Sequence, residues 1–118
     1  RYYADHDIYI QSPNIDNMPA SIIEAFASGL PVVSTGAGGI PAILTHGEHG
    51  LLAPVGDADT LAAHVLHLLD RPDHARELAA AAFRTVSRYT WPHVRGQWVR
   101  LYRELVSAEA PSSAAVEA

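Results

Sequence analysis

The chain contains no cysteine. That excludes a disulfide framework, a thiolate nucleophile and any cysteine-ligated zinc site. It contains no lysine either: all eight basic residues are arginines, and every one except Arg1 lies at or beyond Arg71. A site for an anionic ligand in the first half must therefore use backbone amides or borrow cations from elsewhere. The net charge of -5, without any basic cluster, argues against nucleic acid as a partner, because phosphate binding depends on concentrated positive charge. No apolar run approaches the ~20 residues needed to cross a bilayer. Arg1 followed by two tyrosines lacks the pattern of a signal peptide, and no internal repeat is found. These absences fit a soluble, cytoplasmic chain.

What is present is enough apolar content, 48% of 118 residues, for one hydrophobic core. Residues 7–12 read as a short buried strand, with Ile8 and Ile10 alternating with Tyr9 and Pro13 closing the run. Asn17 is a suitable N-cap, and Pro19 fits the first turn of a helix running to about Ser28. Gly29 supplies a left-handed terminator there, and Pro31 prevents the helix from resuming. Residues 31–34 form a β-branched run suited to a fully buried strand, followed by a glycine-rich turn at Gly36, Gly38 and Gly39. This order predicts a parallel α/β sheet.

One helical turn over 40–45 and a tight turn over 47–50 then precede a third short strand over 51–53. Three amphipathic helices follow. The first is capped by Asp57 and carries Leu61, Val65, Leu68 and Leu69 on its apolar face. The second starts at Pro72, with Leu78, Ala82, Phe83 and Val86 inward. Thr90 can cap the third, whose stripe is Val94, Trp98, Leu101, Tyr102 and Leu105. Residues 110–118 make a small-residue tail expected to be disordered. Three short strands make a thin sheet, so the fold expected is α/β, a partial Rossmann-like parallel sheet with flanking helices. The chain reads as the later portion of a larger α/β domain, and Arg1 in place of a methionine agrees with that.

The chemistry is concentrated in residues 13–41. Glu24 is the only charged residue between Met18 and Leu30, and with Ser21 and Ser28 it forms a polar stripe at helical spacing. A carboxylate among apolar neighbours needs hydrogen-bond donors, for which sugar or ribose hydroxyls are suitable. The plainer alternative places Glu24 on an exposed edge or pairs it with an internal arginine, and both readings stay open. Asp16, eight positions earlier, lies just ahead of the helix, where capping is the commoner aspartate role. The rise between the two carboxylates, roughly 10 Å over six or seven helical residues, argues against a retaining glycosidase pair. The glycine turn lacks the dinucleotide-binding spacing, with Pro41 where a third glycine would stand, and a structural turn is its plainer reading. Asp57-Ala58-Asp59 matches a D-x-D metal pattern but opens a helix, where capping and the helix dipole explain both residues. The histidine pairs His46/His49 and His64/His67 have no evident third ligand for zinc, and His64 and His67 are expected to face solvent.

With these residues laid out, the chain resembles the C-terminal part of a retaining glycosyltransferase of family four, with the GT-B fold. The resemblance rests on Ser12-Pro13, Asp16, Asn17, Pro19, Glu24-Ala25, Ala27, Gly29, Pro31-Val32-Val33, Thr35, Gly38-Gly39, Gly50-Leu51-Leu52, Asp57 and Leu61-Ala62. It extends from Asp5 to about Tyr102, with the aromatic segment from Tyr89 to Trp91 preceding the last helix. By this resemblance, Glu24 holds the ribose hydroxyls of a nucleotide. Asp16 stands where the family has glutamate, near the donor sugar hydroxyls, which makes it the candidate catalytic residue. The backbone at Asn17, Met18 and Pro19 falls beside the sugar and diphosphate. Ala42 replaces the usual glutamate after the Gly-Gly turn and receives no role.

The implied partner is a nucleotide diphosphate sugar, with neither cofactor nor metal. The family's diphosphate-neutralising cations and its acceptor-binding N-terminal domain are absent here. The chain alone is therefore expected to be inactive, with Trp98 and Tyr102 exposed or self-associated. Residues 1–108 would be the C-terminal portion of the nucleotide-sugar-binding domain, and 109–118 the tail. The full-length enzyme would be cytoplasmic, with peripheral attachment at the inner membrane surface as an option. The alternatives are a GT-B nucleotide-sugar 2-epimerase, disfavoured by the D-N-x-P and G-L-P-V-V-S-T runs, and a non-catalytic module that binds nucleotide or self-associates through a free sheet edge.

Overall fold

A computed structural model describes residues 2–108; the expected tail over 109–118 lies outside them. Residues 2–86 form one compact unit and residues 87–108 another. In the first unit, a 3-10 turn at Tyr3–Asp5 leads into β1 (Tyr9–Gln11), α1 (Ala20–Ala27), β2 (Val32–Thr35), α2 (Ile40–Ile43), β3 (Leu51–Ala53), α3 (Ala58–Asp70) and α4 (Pro72–Thr85). The three strands form one parallel sheet in the order β1-β2-β3, with Tyr9 opposite Val32 and Val33 opposite Leu51. No helix among the described residues is long and apolar enough to cross a membrane.

The middle strand is buried at all four positions, as its β-branched sequence requires. α3 covers one face of the sheet, where Val33, Leu51 and Leu68 form a core cluster with Leu78 of α4, joined by Ile8, Leu61, Val65 and Ala75. α4 packs against both α3 and α1. The opposite face carries α1, which buries Ile22, Ala25 and Phe26. α1 ends as its sequence specifies: Gly29 takes φ +74°, the Leu30 N–H donates to the Ala25 carbonyl at 3.0 Å, and that of Gly29 donates to Phe26 at 3.1 Å.

Four local expectations are corrected. β1 is an edge strand rather than a buried one, since among the described residues only β2 pairs with it, and Ile10 is 47% exposed. Asn17 does not cap α1. Proline disfavours helical geometry in the residue before it, so the helix cannot include Met18, and Pro19 itself takes the N-cap position with ψ 116°. Leu69 and Phe83 are exposed. Leu69 lies at the margin of the α3 stripe, and Phe83 falls one position past the stripe that Ala75, Leu78, Ala79 and Ala82 make on α4. His64 and His67 are half-buried and hydrogen-bonded rather than solvent-facing.

The histidines have structural partners. In β3, Ala53 faces β2, its carbonyl accepting from Gly36 N–H at 2.9 Å. Leu52 therefore turns its N–H and carbonyl to the free edge of the sheet. His46 Nδ1 accepts that N–H at 2.9 Å, and His64 Nε2 lies 3.1 Å from that carbonyl, with the two rings 5.5 Å apart. His67 of α3 meets His74 of α4 at 3.0 Å.

The second unit contains a 3-10 turn continuing from Val86 to Tyr89 and α5 (Trp91–Ala108). The Thr90 carbonyl accepts from His93 and Val94 at 3.0 Å, while its hydroxyl donates back to Ser87 at 2.8 Å. Trp98 and Tyr102 are exposed and stack on each other with ring centres 5.8 Å apart.

Candidate functional site

The loop between β1 and α1, residues 12–19, is fixed against the carboxyl end of β2. The Thr35 hydroxyl donates to the Pro13 carbonyl at 2.5 Å, and the Gly39 N–H donates to the Asp16 carbonyl at 2.9 Å. The glycines make this approach possible. A Cβ on Gly38 would lie 1.9 Å from the Asp16 carbonyl oxygen, and one on Gly39 would lie 1.6 Å from that of Asn17. Gly38 also takes φ +52°. The glycine turn is thus structural, but its structural task is to seat the acidic loop, which turn chemistry alone does not reveal.

With its backbone pinned, the loop presents Asp16 half-buried and Asn17 and Met18 exposed, while Pro19 opens α1. No side chain caps α1, so capping does not account for Asp16. A cavity of about 230 Å³ lies at the carboxyl ends of the strands, lined by Ser12, Asn14, Thr35, Gly56, Asp57, Ala58 and Leu61. Open parallel sheets bind ligands at this end.

Glu24 is one turn into α1 and exposed, and its partner is a phenol rather than an arginine: the Tyr3 hydroxyl donates to Glu24 Oε2 at 2.7 Å. The carboxylate favours the protonated phenol, which pushes the Tyr3 pKa up to about 12. The stripe expected on this helix divides. Ser28 returns its hydroxyl to the Glu24 carbonyl at 2.9 Å, whereas Ser21 donates to Gln11 Oε1 at 3.4 Å. Gln11 also accepts from the Tyr9 hydroxyl at 3.1 Å and donates to Ser34 Oγ at 3.2 Å. A polar seam therefore runs between β1 and α1, with the Tyr3 ring 6.0 Å from that of Tyr9.

Sequence reasoning missed Tyr3, Gln11 and Ser34. Tyr9 and Gln11 two apart on a strand share a face, which could have exposed part of the seam. Nothing in the sequence links Tyr3 to a carboxylate 21 residues away. Asp16 and Glu24 share no contact; one belongs to the pinned loop and the other to the seam.

Asp57 acts as a cap. Its Oδ1 accepts the Thr60 N–H at 2.9 Å and its Oδ2 the Thr60 hydroxyl at 2.7 Å, which lowers its pKa below the usual 3.8. Among the described residues, no group of three or more His, Asp or Glu side chains is placed to hold a metal ion.

A parallel sheet with a glycine-seated acidic loop at its strand ends defines the class of α/β ligand-binding folds. Within that class, the chain belongs to the family of glycosyl transferases group 1, whose model matches residues 1–71. It is 36% identical over 105 residues to a phosphatidyl-myo-inositol mannosyltransferase of Mycobacterium leprae, covering 86% of this chain and 28% of that protein. To a GDP-mannose-dependent alpha-mannosyltransferase of Mycobacterium tuberculosis it is 38% identical over 94 residues, covering 78% of this chain and 24% of the relative.

Its fold matches the sucrose-phosphate synthase of Thermosynechococcus elongatus with a TM-score of 0.83 and 30% identity, over 91% of this chain and 27% of that one. The Anabaena protein HepE, solved with UDP and glucose, shares the fold with a TM-score of 0.83 at 23% identity, over 87% of this chain and 29% of that one. The fold is that of the GT-B glycosyltransferases. The chain spans less than a third of the length of each of these proteins.

Proposed function

We propose that the chain supplies the donor side of a retaining glycosyltransferase, which in its complete form moves a hexose from a nucleotide diphosphate sugar to a hydroxyl acceptor. The observation that carries this is the seating of the Asp16 loop on Gly38 and Gly39, within the segment that matches the glycosyl transferases group 1. Asp16 lacks a side-chain hydrogen bond or ion pair among the described residues, so its carboxylate is available to donor sugar hydroxyls. Glu24 would receive the ribose hydroxyls. Asn17, Met18 and Pro19 would lie along the sugar and diphosphate, Pro19 without an amide hydrogen to offer. Transfer is read as metal-independent, with Asp57 committed to its cap.

Residues 1–108 form, in this reading, the later portion of the nucleotide-sugar-binding domain, and Ile10 marks the edge where further sheet would add. An acceptor-binding domain and the cations that neutralise the diphosphate would complete a cytoplasmic enzyme. The HepE complex with UDP and glucose supports a nucleotide-sugar ligand, and the transferase relatives favour transfer over epimerisation.

The test is calorimetric titration of the chain with UDP, GDP and ADP, in parallel with Glu24→Ala. We expect one nucleotide to bind and the substitution to weaken it about tenfold, as losing a hydrogen bond to a charged group does. Absence of binding by the intact chain would leave a self-associating, non-catalytic module as the better account. A product assay on the full-length protein separates transfer from epimerisation.

A further inference from the structure

The Glu24 carboxylate is exposed on a helix, where a glutamate with several free torsions would sample many orientations at a cost in binding entropy. Here one oxygen is held. The Tyr3 hydroxyl donates to Oε2 at 2.7 Å, and the Tyr3 ring stands 6.0 Å from Tyr9, whose own hydroxyl donates to Gln11 Oε1 at 3.1 Å. Gln11 is bonded in turn to Ser21 on α1 and to Ser34 on β2. The phenol is thus placed beside the seam that ties α1 to the sheet, and its bond fixes the carboxylate relative to that seam. An ionised carboxylate offers about four acceptor directions. The phenol uses one, leaving Oε1 and the second lone pair of Oε2 for a vicinal diol.

We propose that Tyr3 is a positioning residue for donor binding: it orients Glu24 so that the carboxylate meets the two ribose hydroxyls of the nucleotide without first losing side-chain freedom. This rests on the reading of Glu24 as the ribose ligand. The phenol need not touch the donor, and its effect is confined to the ribose contact.

The experiment measures binding of UDP, GDP and ADP, and of the 2′-deoxy counterpart of whichever binds, to the wild-type chain, Tyr3→Phe, Glu24→Gln and the double variant. Tyr3→Phe is expected to weaken the ribonucleotide by about fivefold, the scale of one net hydrogen bond, and to leave the deoxynucleotide unchanged. The double variant should bind like Glu24→Gln alone, because both changes remove the same contact. Equal weakening of ribo- and deoxynucleotide by Tyr3→Phe, additive losses in the double variant, or no effect of Tyr3→Phe would each overturn the proposal while leaving Glu24 as a ligand. A Glu24→Gln variant that still prefers the ribonucleotide fully, or a chain that binds none of the three, overturns the ribose reading and this inference together.

An alkaline titration of the tyrosines supplies a readout independent of nucleotide. One phenol should ionise near pH 12 in the wild type and move back toward 10.0 in Glu24→Gln. If none moves, the pair does not form in solution and the positioning role is lost.

Discussion

Gly39 has no room for a side chain: even one methyl group would stand 1.6 Å from the Asn17 carbonyl oxygen, and the obstacle is backbone, which cannot rotate away. Gly39→Ala should therefore force residues 16 and 17 off the turn. Overpacking of this kind costs about 1–3 kcal/mol, measurable by urea unfolding, and nucleotide binding should fall with it. Gly29→Ala is the control, since it meets nothing within 4 Å and pays only for its φ of +74°. Equal losses in stability and binding from the two changes would show that the close approach is not what matters at Gly39.

A second residue-scale expectation concerns acid. Thr60 holds the Asp57 pKa below its ordinary 3.8, so the ionised cap stabilises the fold at neutral pH. That contribution is lost as pH falls through 3.8 and on through the lower folded value. The stability difference between wild type and Asp57→Asn should shrink from pH 7 to about pH 3; a difference independent of pH would refute the assignment.

At the scale of elements, the two edges of the sheet are treated differently. β3 has its outward groups engaged, because His46 and His64 bind the N–H and carbonyl of Leu52. β1 turns the N–H and carbonyl of Ile10 away from β2, so strand pairing by another segment has β1 as its open edge. Replacing His46 and His64 together by phenylalanine should cost about 1–3 kcal/mol, two hydrogen bonds at roughly 0.5–1.5 each. It should also increase self-association in sedimentation, as the β3 edge becomes available. A stable, monomeric double variant would argue that the imidazoles only happen to lie there.

How far the elements were legible follows the same physics. The buried strand over Val32–Thr35, the Gly29 terminator and the Asp57 cap were readable because each depends on neighbours in sequence. The start of α1, the edge position of β1 and the Tyr3–Glu24 bond were not. They depend on the proline rule overriding a good cap residue, on which strands flank β1, and on a contact between distant residues. For the candidate site, Glu24 could be picked out as an isolated carboxylate and Asp16 only through the family resemblance, while the phenol that orients one and the close approach by which the glycines seat the other emerged only from packing.

For the whole molecule, the balance between binding and chemistry is set by charge. Residues 2–70 contain no arginine or lysine, so the segment that presents Asp16 and Glu24 brings carboxylates to the site but no cation of its own. Carboxylates can hold hydroxyls, but a departing diphosphate develops negative charge that they would oppose rather than stabilise. Binding and turnover should therefore separate. A nucleoside diphosphate that binds should raise the melting temperature, by about 2.7 kcal/mol of linkage at a hundredfold excess over Kd. Under the same conditions the 118-residue chain should release no sugar from UDP-, GDP- or ADP-hexose to any hydroxyl acceptor. Chromatography of the products checks this. Robust transfer by the isolated chain would mean that its arginines beyond Arg71 reach the diphosphate after all, and that the donor side is self-sufficient.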